Sequence, residues 1–329
     1  MSFSVAVIGC GNIAQVHLGV LSAMNNIHIC ACVDIRYDRA QQAAQKYGCN
    51  AYHTIEELFE KEQPDTVHLC VPHHLHAELA SYAAQKGAAV FCEKPPAITR
   101  TEWTAMKAIQ SPVGVCFQNR YNPNVMLAEQ MISQGHLGQV LGVRGLVCWK
   151  RDEKYYSDDW HGTRAREGGG ALINQAVHTL DLVVRFLGGC DAAEAKMSNH
   201  HLKGCIEVED TAEVYIRCGQ KTGLLYATTA WVADAPIEVE IVLEKGFLRI
   251  QNDTLTIIQE GNRQTITCPE DEKTGKSYWG AGHKKCIMDF YQSLEQHCPY
   301  RNGLLSCEHT MDALLSAYEQ NPEFSAMIP

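Results

Sequence analysis

The sequence predicts an α/β protein with a doubly wound parallel sheet at the N-terminus, followed by an α+β domain with a large, mostly antiparallel, open sheet. Over the first 120 residues, short apolar runs alternate with helical spacing, which is typical of parallel strands joined by crossover helices. From about residue 191 to 268, turn residues separate consecutive strand-like runs, which indicates an antiparallel meander. A chain of 329 residues also exceeds what one core usually serves. We therefore expect two domains, 1–120 and 121–329.

The first domain is expected to hold five strands, each preceded or followed by a helix. The predicted strands are Phe3–Ile8, His28–Val33, Thr66–Val71, Ala88–Cys92 and Val113–Gln118, and the helices cover 12–24, 36–47, 54–62, 74–86 and 99–110. In the second domain we expect, in order, a helix, a long strand, a loop, an apolar helix, the meander and two closing helices. These elements are predicted at 122–134, 138–150, 151–169, 170–187, 191–268, roughly 281–297 and 304–319.

Charge and hydropathy exclude several classes of partner. The formal net charge of -10 is unfavourable for binding a phosphate backbone or an anionic membrane surface, because both attract clustered Lys and Arg. No apolar run reaches the ~20 residues of a membrane span, and Met1 leads directly into a strand-like segment rather than a signal peptide. We therefore expect a cytoplasmic protein that binds neither nucleic acid nor membrane. The 15 cysteines, many of them within apolar runs, are expected to be reduced thiols.

A glycine-rich turn follows the first predicted strand. Residues 9–14, GCGNIA, match the G-x-G-x-x-G/A pattern between an apolar strand and a helical pattern. Gly9 permits the tight turn, Gly11 lets the backbone approach a pyrophosphate, and the small residue that ends the motif lets helix and strand pack closely. The start of the helix, at Asn12 and Ile13, offers N–H groups to the phosphates. The pattern predicts a Rossmann-type dinucleotide site. A glycine turn in a nucleotide-free α/β domain is the alternative.

The second strand ends in an acidic residue that bears on the choice of cofactor. Asp34 lies 20 residues past the end of the glycine motif, where a carboxylate accepts from the ribose 2′-OH and repels a 2′-phosphate. Arg36 keeps NADP open, because a guanidinium two residues later could accommodate that phosphate. It could equally stack on adenine or pair with Asp38. We therefore expect NAD, with NADP possible.

Two later strand ends complete the expected cofactor pocket, because ligands of such sheets bind outside the carboxyl ends of the strands. The residues expected to contact the cofactor there are Cys70, Pro72, His73, His76, Glu93 and Lys94. The histidines at positions 73, 74 and 76 look like a metal cluster, but no Cys or carboxylate complements them nearby. We interpret them as the start of a helix and expect no metal site.

Five motifs in this order carry a resemblance. They are GCGNIA at 9–14, VPHHLH at 71–76, EKP at 93–95, FQNRYNP at 117–123 and GGGALINQAVHTLDL at 168–182. Together they resemble the Gfo/Idh/MocA oxidoreductase family, named for glucose–fructose oxidoreductase, inositol dehydrogenase and a rhizopine-catabolism protein. The resemblance extends over most of the chain. It implies a Rossmann domain followed by a C-terminal α/β domain whose open sheet often serves oligomerisation, so we expect a homodimer or homotetramer formed through that sheet.

The resemblance also implies roles for particular residues. Lys94, the lysine of EKP, is expected beside the nicotinamide, where it holds and polarises the substrate hydroxyl. His178 is the expected acid/base. The family often has Asp four residues before that histidine, where this chain has Asn174; an amide can orient a hydroxyl but cannot take a proton. His73 is a second departure, because the family commonly has Asn after the proline.

Hydride transfer from a secondary alcohol requires a proton acceptor and stabilisation of the developing alkoxide. On the predicted helix 170–187, Asn174, His178 and Asp181 share one face. We expect His178 to act as the base, with Asp181 orienting it; the alternative is a histidine satisfied within an amphipathic helix. The three glycines at 168–170 indicate close backbone approach to a ligand, a mobile entrance or simply a flexible loop.

Further substrate contacts are expected in two places. The loop 150–167 resembles one that lines the substrate pocket in some sugar-oxidising members of the family. There, Trp160 would stack on a sugar ring and Arg164 would meet a carboxylate or phosphate. The alternative is a surface loop whose arginines pair with its own acidic residues. Arg120 and Tyr121 are expected to line the cleft between the domains.

The expected function is that of an NAD-dependent dehydrogenase or reductase acting on a secondary alcohol of a sugar, polyol or related small molecule. Two alternatives remain. One is a glycosidase of the same family that retains NAD and eliminates an aglycone through transient oxidation. The other is a non-catalytic, cofactor-binding sensor, which the retention of Lys94 and His178 disfavours.

Overall fold

The computed structural model describes residues 2–268 and 282–326, which fold into two compact units. The first unit comprises 2–118 and 282–306, and the second comprises 119–268 and 307–326. The boundary at residue 118 lies close to the expected one at residue 120. The segment 282–306 returns to the first unit, in contrast to the continuous second domain expected over 121–329. Residue spacing predicts an amphipathic helix there but carries no information about which sheet it covers.

A parallel sheet of six strands forms the centre of the first unit. Its strands are β1 (Phe3–Ile8), β2 (Ile27–Val33), β3 (Asn50–Tyr52), β4 (Thr66–Leu69), β5 (Ala89–Cys92) and β6 (Val113–Val115). The helices between them are α1 (Asn12–Ser22), α2 (Tyr37–Tyr47), α3 (Ile55–Lys61), α4 (His76–Gln85) and α5 (Arg100–Lys107). The strands lie in the order β3-β2-β1-β4-β5-β6, so the order reverses between β1 and β4, where ligands of such sheets bind. The predicted parallel sheet is confirmed; the sequence prediction misses only β3, whose three residues form no apolar run.

An eight-stranded, mostly antiparallel sheet forms the second unit, as predicted. Its first strand in the chain, β7 (Val140–Cys148), comes after α6 (Pro123–Ser133) and is followed by α7 (Arg164–Glu167), a π-helical segment (Ala171–Ala176) and α8 (Val177–Leu187). The strands that follow are β8 (Ala192–Ser198), β9 (Thr211–Cys218), β10 (Lys221–Thr228), β11 (Glu238–Leu243), β12 (Gly246–Gln251), β13 (Thr254–Gln259) and β14 (Asn262–Thr267). Their order is β14-β13-β12-β11-β7-β10-β9-β8, and only β7 and β10 pair in parallel. Helix α8 covers one face, while the other exposes Tyr215 and Leu224.

Two helices close the described chain. Helix α9 (Gly282–Gln296) packs against α1 in the first unit. Its Phe290 and Tyr291 rings lie 5.2 Å from Phe91 and 5.3 Å from Phe3, respectively. These aromatic contacts explain why the segment belongs to the first unit. A 3-10 turn then leads into α10 (Glu308–Glu319), which packs on α8 and β8 in the second unit.

Two further features concern the apolar character of the helices and the cysteines. Within residues 2–268 and 282–326, none of the helices combines the length and the apolar character that crossing a membrane requires. No disulfide joins any of the 15 cysteines, all of which lie in the described ranges.

Candidate active site

The glycine turn lies between β1 and α1, at the switch point of the first sheet. Gly9 has φ of 86°, and a Cβ at this position would come within 2.3 Å of the carbonyl oxygen of Cys70. Only glycine fits there. Gly11 precedes α1, and the space where its side chain would project is open. Helix α1 begins at Asn12, and no side chain caps its first turn, so the N–H groups of that turn suit a diphosphate.

Asp34 ends the second strand and is fixed by the backbone around it. Its Oδ2 accepts from the amide of Cys10 at 2.8 Å, and its Oδ1 accepts from the amide of Arg36 at 2.8 Å. Each carboxylate oxygen keeps a second lone pair, and the side chain is only half-buried. The carboxylate is therefore held beside the glycine turn with acceptor capacity for a ribose diol, which fits NAD.

His76 is buried between two backbone segments. It begins α4 fully buried, with Nδ1 2.7 Å from the carbonyl oxygen of Pro95 and Nε2 2.9 Å from that of Val71. The ring thus lies between two backbone carbonyls, and its neutral form, which carries one N–H, donates to one of them. Its expected contact with the cofactor stays a prediction. His73 is also buried, with its ring 5.9 Å from that of His76. Burial raises the pKa of the Cys70 thiol well above its usual value, so this group stays protonated.

Glu93 and Lys94 follow β5, at the carboxyl edge that also carries the glycine turn and Asp34. The peptide bond from Lys94 to Pro95 is cis. Glu93 is buried, with Oε1 2.9 Å from His17 Nε2 and Oε2 accepting from the Lys94 amide at 3.3 Å. Burial by itself would raise the pKa of Glu93, but His17, His283 and Lys94 hold it below its ordinary range. Glu93 is therefore an ionised carboxylate beside a half-buried lysine.

A buried polar chain leads away from Glu93 through the core of the first unit, and the sequence analysis did not predict it. It runs from His17 to His68, Tyr291 and Thr66 through hydrogen bonds of 2.9, 2.8 and 2.9 Å. These residues lie on α1, β4 and α9. The signal in the sequence is weak, because a histidine within an apolar helix or strand does not indicate which residue its side chain will bond.

One group of residues near this chain could hold a metal ion. The ligand atoms of His17, Glu93 and Cys116, all buried, lie within 4.8 Å of one another. The sequence analysis weighed only the histidines at 73, 74 and 76. In the structure His17 and Glu93 are hydrogen-bonded to each other, and burial keeps the Cys116 thiol protonated by raising its pKa.

In the second unit, the glycine run at 168–170 packs against the protein itself. A Cβ at Gly169 would lie 2.1 Å from Tyr318 Oη, and one at Gly170 would lie 2.1 Å from the carbonyl oxygen of Glu209. The expected approach to a ligand, or a mobile entrance, is therefore corrected. The glycines let the start of the π-helical segment press against β9 and α10.

Glu209 anchors that start. Its fully buried carboxylate accepts from the amides of Gly170 and Leu172, each at 2.9 Å, and from Tyr318 Oη at 2.7 Å. Burial raises the pKa of Glu209 to about 7, against the lowering effect of these donors. The Glu209 carboxyl group therefore holds the N-terminal end of the π-helical segment on which Asn174 lies.

The departure at Asn174 has a local reason. Its side-chain amide donates to Oε1 of Glu167, a carboxylate that is 1% exposed, and lies 3.4 Å from Tyr155 Oη. A second carboxylate at position 174 would face that of Glu167 and be repelled. Glu167 is a residue that the sequence analysis missed, since its burial depends on the loop fold.

His178 is the second residue of α8 and is half-buried. Asp181 does not orient it, contrary to expectation. The Asp181 carboxylate instead accepts two hydrogen bonds from Arg120, at 2.7 and 2.5 Å, and one from Thr310 at 2.8 Å. Arg120 is 1% exposed. Its guanidinium forms a buried ion pair with Asp181, and the expected contact of Arg120 with substrate stays a prediction.

In the loop expected to contact substrate, the aromatic and arginine side chains contact other residues of the protein. Trp160 lies against His161, with ring centroids 3.8 Å apart and the ring planes tilted by 33°. Arg164 is exposed and donates to the carbonyl oxygen of Glu323 at 3.2 Å. Arg166 pairs with Asp159 at 3.1 Å, as the surface-loop alternative predicted. Tyr121 is buried.

Two family models match the chain in succession. One, described as an oxidoreductase family with an NAD-binding Rossmann fold, matches residues 3–121. The other, described as the GFO/IDH/MocA C-terminal domain, matches residues 125–249.

Individual proteins that resemble this chain in sequence or fold are dehydrogenases as well. D-glucoside 3-dehydrogenase of Escherichia coli (strain K12) is 28% identical over 200 residues, which are 56% of this chain and 54% of that protein. Levoglucosan dehydrogenase of Pseudarthrobacter phenanthrenivorans is 32% identical over 166 residues, 48% and 42% of the two chains. The match thus spans about half the length of these relatives. The solved WlbA dehydrogenase from Bordetella pertussis, in complex with NADH and UDP-GlcNAcA, has the same fold, with a TM-score of 0.84 over 100% of both chains at 22% identity. The chain therefore belongs to the Gfo/Idh/MocA oxidoreductase family, and its first unit is an NAD-binding Rossmann domain.

Proposed function

We propose that this protein is an NAD-dependent dehydrogenase or reductase that acts on a secondary alcohol of a sugar, polyol or related small molecule. The observation that carries the proposal is the cradle of the first unit, in which Gly9, Gly11 and Asp34 suit a dinucleotide and Lys94 lies at the same edge of the sheet. The names of the relatives, dehydrogenases of a glucoside and of levoglucosan, support the substrate class. Bound NAD accepts or returns the hydride.

Lys94 is assigned to the substrate oxygen. Its ammonium group can donate a hydrogen bond to the hydroxyl and stabilise the negative charge that develops on the oxygen during oxidation. The neighbouring Glu93 carboxylate favours the charged form of this lysine, because the two groups carry opposite charges.

His178 is assigned as the acid/base in the second unit. Its half-buried position on α8 keeps the imidazole accessible for proton transfer. Asn174, fixed by Glu167, is assigned to orienting a substrate hydroxyl through its amide. Trp160 and Arg164 remain candidates for contacts with the rest of the substrate.

We also propose a cytoplasmic homo-oligomer formed through the second sheet. The face of that sheet away from α8 exposes Tyr215, Leu224 and Val242, and apolar side chains exposed together favour burial against another surface.

A screen of sugars and polyols with NAD and NADP in parallel, followed by NADH absorbance, tests the function. We expect NADH production with at least one polyol or sugar, and a loss of about 100-fold or more in kcat for Lys94→Ala and for His178→Ala. The exposed Lys203 provides a control, since Lys203→Ala should retain activity. Release of an aglycone without accumulation of NADH would favour the glycosidase alternative, and full retention of function in Lys94→Ala would overturn the catalytic assignment.

A further inference from the structure

Two cysteine thiols meet beside the strand end that carries Asp34. The Sγ atom of Cys49 lies 3.7 Å from that of Cys32. Cys32 is 0% exposed in β2, whereas Cys49 is half-buried in the connector between α2 and β3. The strand register explains the contact, because Cys32 pairs with Ala51 of β3, two residues after Cys49. The pair therefore combines one thiol that solvent reaches with a second thiol that the sheet holds against it.

The two thiols differ in acidity. The hydrogen bond with Cys32 lowers the pKa of Cys49 below its ordinary value, although burial acts against it. Hydrogen bonds with Cys10 and Cys49 raise the pKa of Cys32, and burial adds to this effect. The thiolate is the form of cysteine that attacks an oxidant, and redox-sensitive cysteines are accessible thiols of low pKa with a second thiol nearby. Cys49 meets these conditions, and Cys32 is the second thiol.

We propose that Cys49 is a peroxide-sensitive modification site, that Cys32 converts its oxidised form into a disulfide, and that this disulfide weakens the binding of NAD. In the first step, the Cys49 thiolate attacks hydrogen peroxide. An S–O bond forms, the O–O bond breaks, and the departing hydroxide takes up the proton that Cys49 released on ionising. In the second step, the Cys32 sulfur attacks the sulfenic sulfur. The S–S bond forms, the S–O bond breaks, and the departing hydroxyl leaves as water with the Cys32 proton. The two thiols lose two electrons and peroxide gains them.

The strand end next to Cys32 belongs to the cofactor cradle. Asp34 follows two residues later, and its backbone amide donates to the carbonyl oxygen of Tyr52 in β3 at 3.3 Å. A disulfide bond is about 2.0 Å long, so sulfur atoms that are 3.7 Å apart must approach each other by about 1.7 Å. Because Cys32 is fixed inside the sheet, the approach displaces the connector at Cys49 and, with it, β3. This displacement acts on the bond from Asp34 to Tyr52 and thereby on the carboxylate that suits the ribose diol.

The test treats the reduced protein with a small excess of hydrogen peroxide. Alkylation and peptide mass spectrometry without reductant should identify a peptide in which Cys32 and Cys49 are joined. Oxidised protein should bind NADH about tenfold more weakly than reduced protein, which is the effect of losing a hydrogen bond to a charged group. Dithiothreitol should restore both the thiols and the affinity.

The coupling between the disulfide and the cofactor must be reciprocal. At equilibrium in a glutathione buffer, saturating NAD should lower the ratio of disulfide to dithiol by the same factor, about tenfold. This measurement needs no catalysis, so it does not depend on the substrate or on the roles assigned to Lys94 and His178.

Variants separate the two steps. Cys32→Ser keeps a donor to Cys49 but cannot form the bond, so a sulfenic acid at Cys49 should accumulate and react with dimedone. Cys49→Ser should bind NADH like the parent, both before and after peroxide. Cys298→Ser, which removes an exposed thiol, is the matched control and should leave the disulfide and its effect unchanged. Thermal unfolding of the reduced proteins identifies variants that fold, and Cys49→Ala replaces Cys49→Ser if the latter does not.

Several outcomes contradict the proposal. Peroxide treatment that leaves Cys32 and Cys49 reduced would overturn it, as would a bond from Cys32 to Cys10 instead. A disulfide between Cys32 and Cys49 that forms without changing the affinity for NADH would overturn the link to the cofactor. A loss of affinity that persists in peroxide-treated Cys49→Ser would overturn it as well, because another group would then be responsible.

Discussion

The side-chain amide of Asn174 donates a hydrogen bond of 2.5 Å to the buried carboxylate of Glu167. Asn174→Asp, which would restore the acid that the family often carries, is therefore expected to lower both activity and stability at neutral pH. Two facing carboxylates cost about 1–3 kcal/mol. Chemical denaturation and kcat/KM between pH 5 and 8 check this, with the deficit smallest at low pH. The double variant Glu167→Gln/Asn174→Asp swaps the two groups and should recover stability; a single variant as stable as the parent would refute the argument.

Removing the guanidinium of Arg120 should destabilise the second unit. Arg120→Met leaves the Asp181 carboxylate buried without its main partner, which costs about 3–5 kcal/mol. The exposed pair of Arg166 and Asp159 supplies the control, because Arg166→Met should change the free energy of unfolding by less than about 0.5 kcal/mol. Urea unfolding followed by fluorescence measures both. Equal effects from the two variants would show that the buried ion pair has no special role.

Gly9→Ala should abolish dinucleotide binding. The methyl group would meet the Cys70 carbonyl at 2.3 Å, and the φ of 86° is unfavourable for alanine, so the turn must move. Gly19→Ala, on helix α1 after the turn, is the control, since nothing lies within 4 Å of its Cβ position. Titration of NADH fluorescence compares the two. Tight binding by Gly9→Ala would exclude a diphosphate at this turn.

Asp34 should determine the preference for NAD. Asp34→Ser removes the repulsion of a 2′-phosphate and leaves Arg36 nearby, so the ratio of kcat/KM for NAD over NADP should fall by about tenfold or more. Asp38→Asn, four residues later on α2, should leave the ratio unchanged. A parent protein that already prefers NADP would contradict the role assigned to Asp34.

Glu209 should make stability depend on pH. Its pKa of about 7 lies above the ordinary 4.5, so the folded protein holds a proton that the unfolded chain releases. The stabilisation is complete below about pH 4.5 and is lost as the pH rises through 7; its full size is on the order of 3 kcal/mol. Thermal unfolding at pH 5 and pH 8, compared with Glu209→Gln, measures this contribution. If the stability of the parent and that of Glu209→Gln change with pH in the same way, Glu209 does not contribute to the pH dependence.

The cofactor cradle could be predicted from sequence because its determinants are local. Gly9 and Gly11 act through the turn between β1 and α1, and Asp34 acts through the end of β2. These are the elements on which the sequence pattern placed them. The roles of Arg120 and Asp181 could not be predicted, since these residues are 61 positions apart and the helix face indicated His178 as the partner of Asp181. The glycine run at 168–170 was interpreted as contact with a ligand because the sequence does not show that Tyr318 packs there.

The sequence by itself determined the fold class, the order of the two domains and the dinucleotide motif. Periodicity and turn chemistry act over a few residues, so they can be recognised without knowledge of distant contacts. Only the tertiary structure decided which buried polar groups pair, as for Arg120 with Asp181 and His17 with Glu93, and that residues 282–306 join the first unit. The physical reason is desolvation: a buried charge or hydrogen-bonding group must find a partner in space, and the chain brings that partner from any distance in sequence.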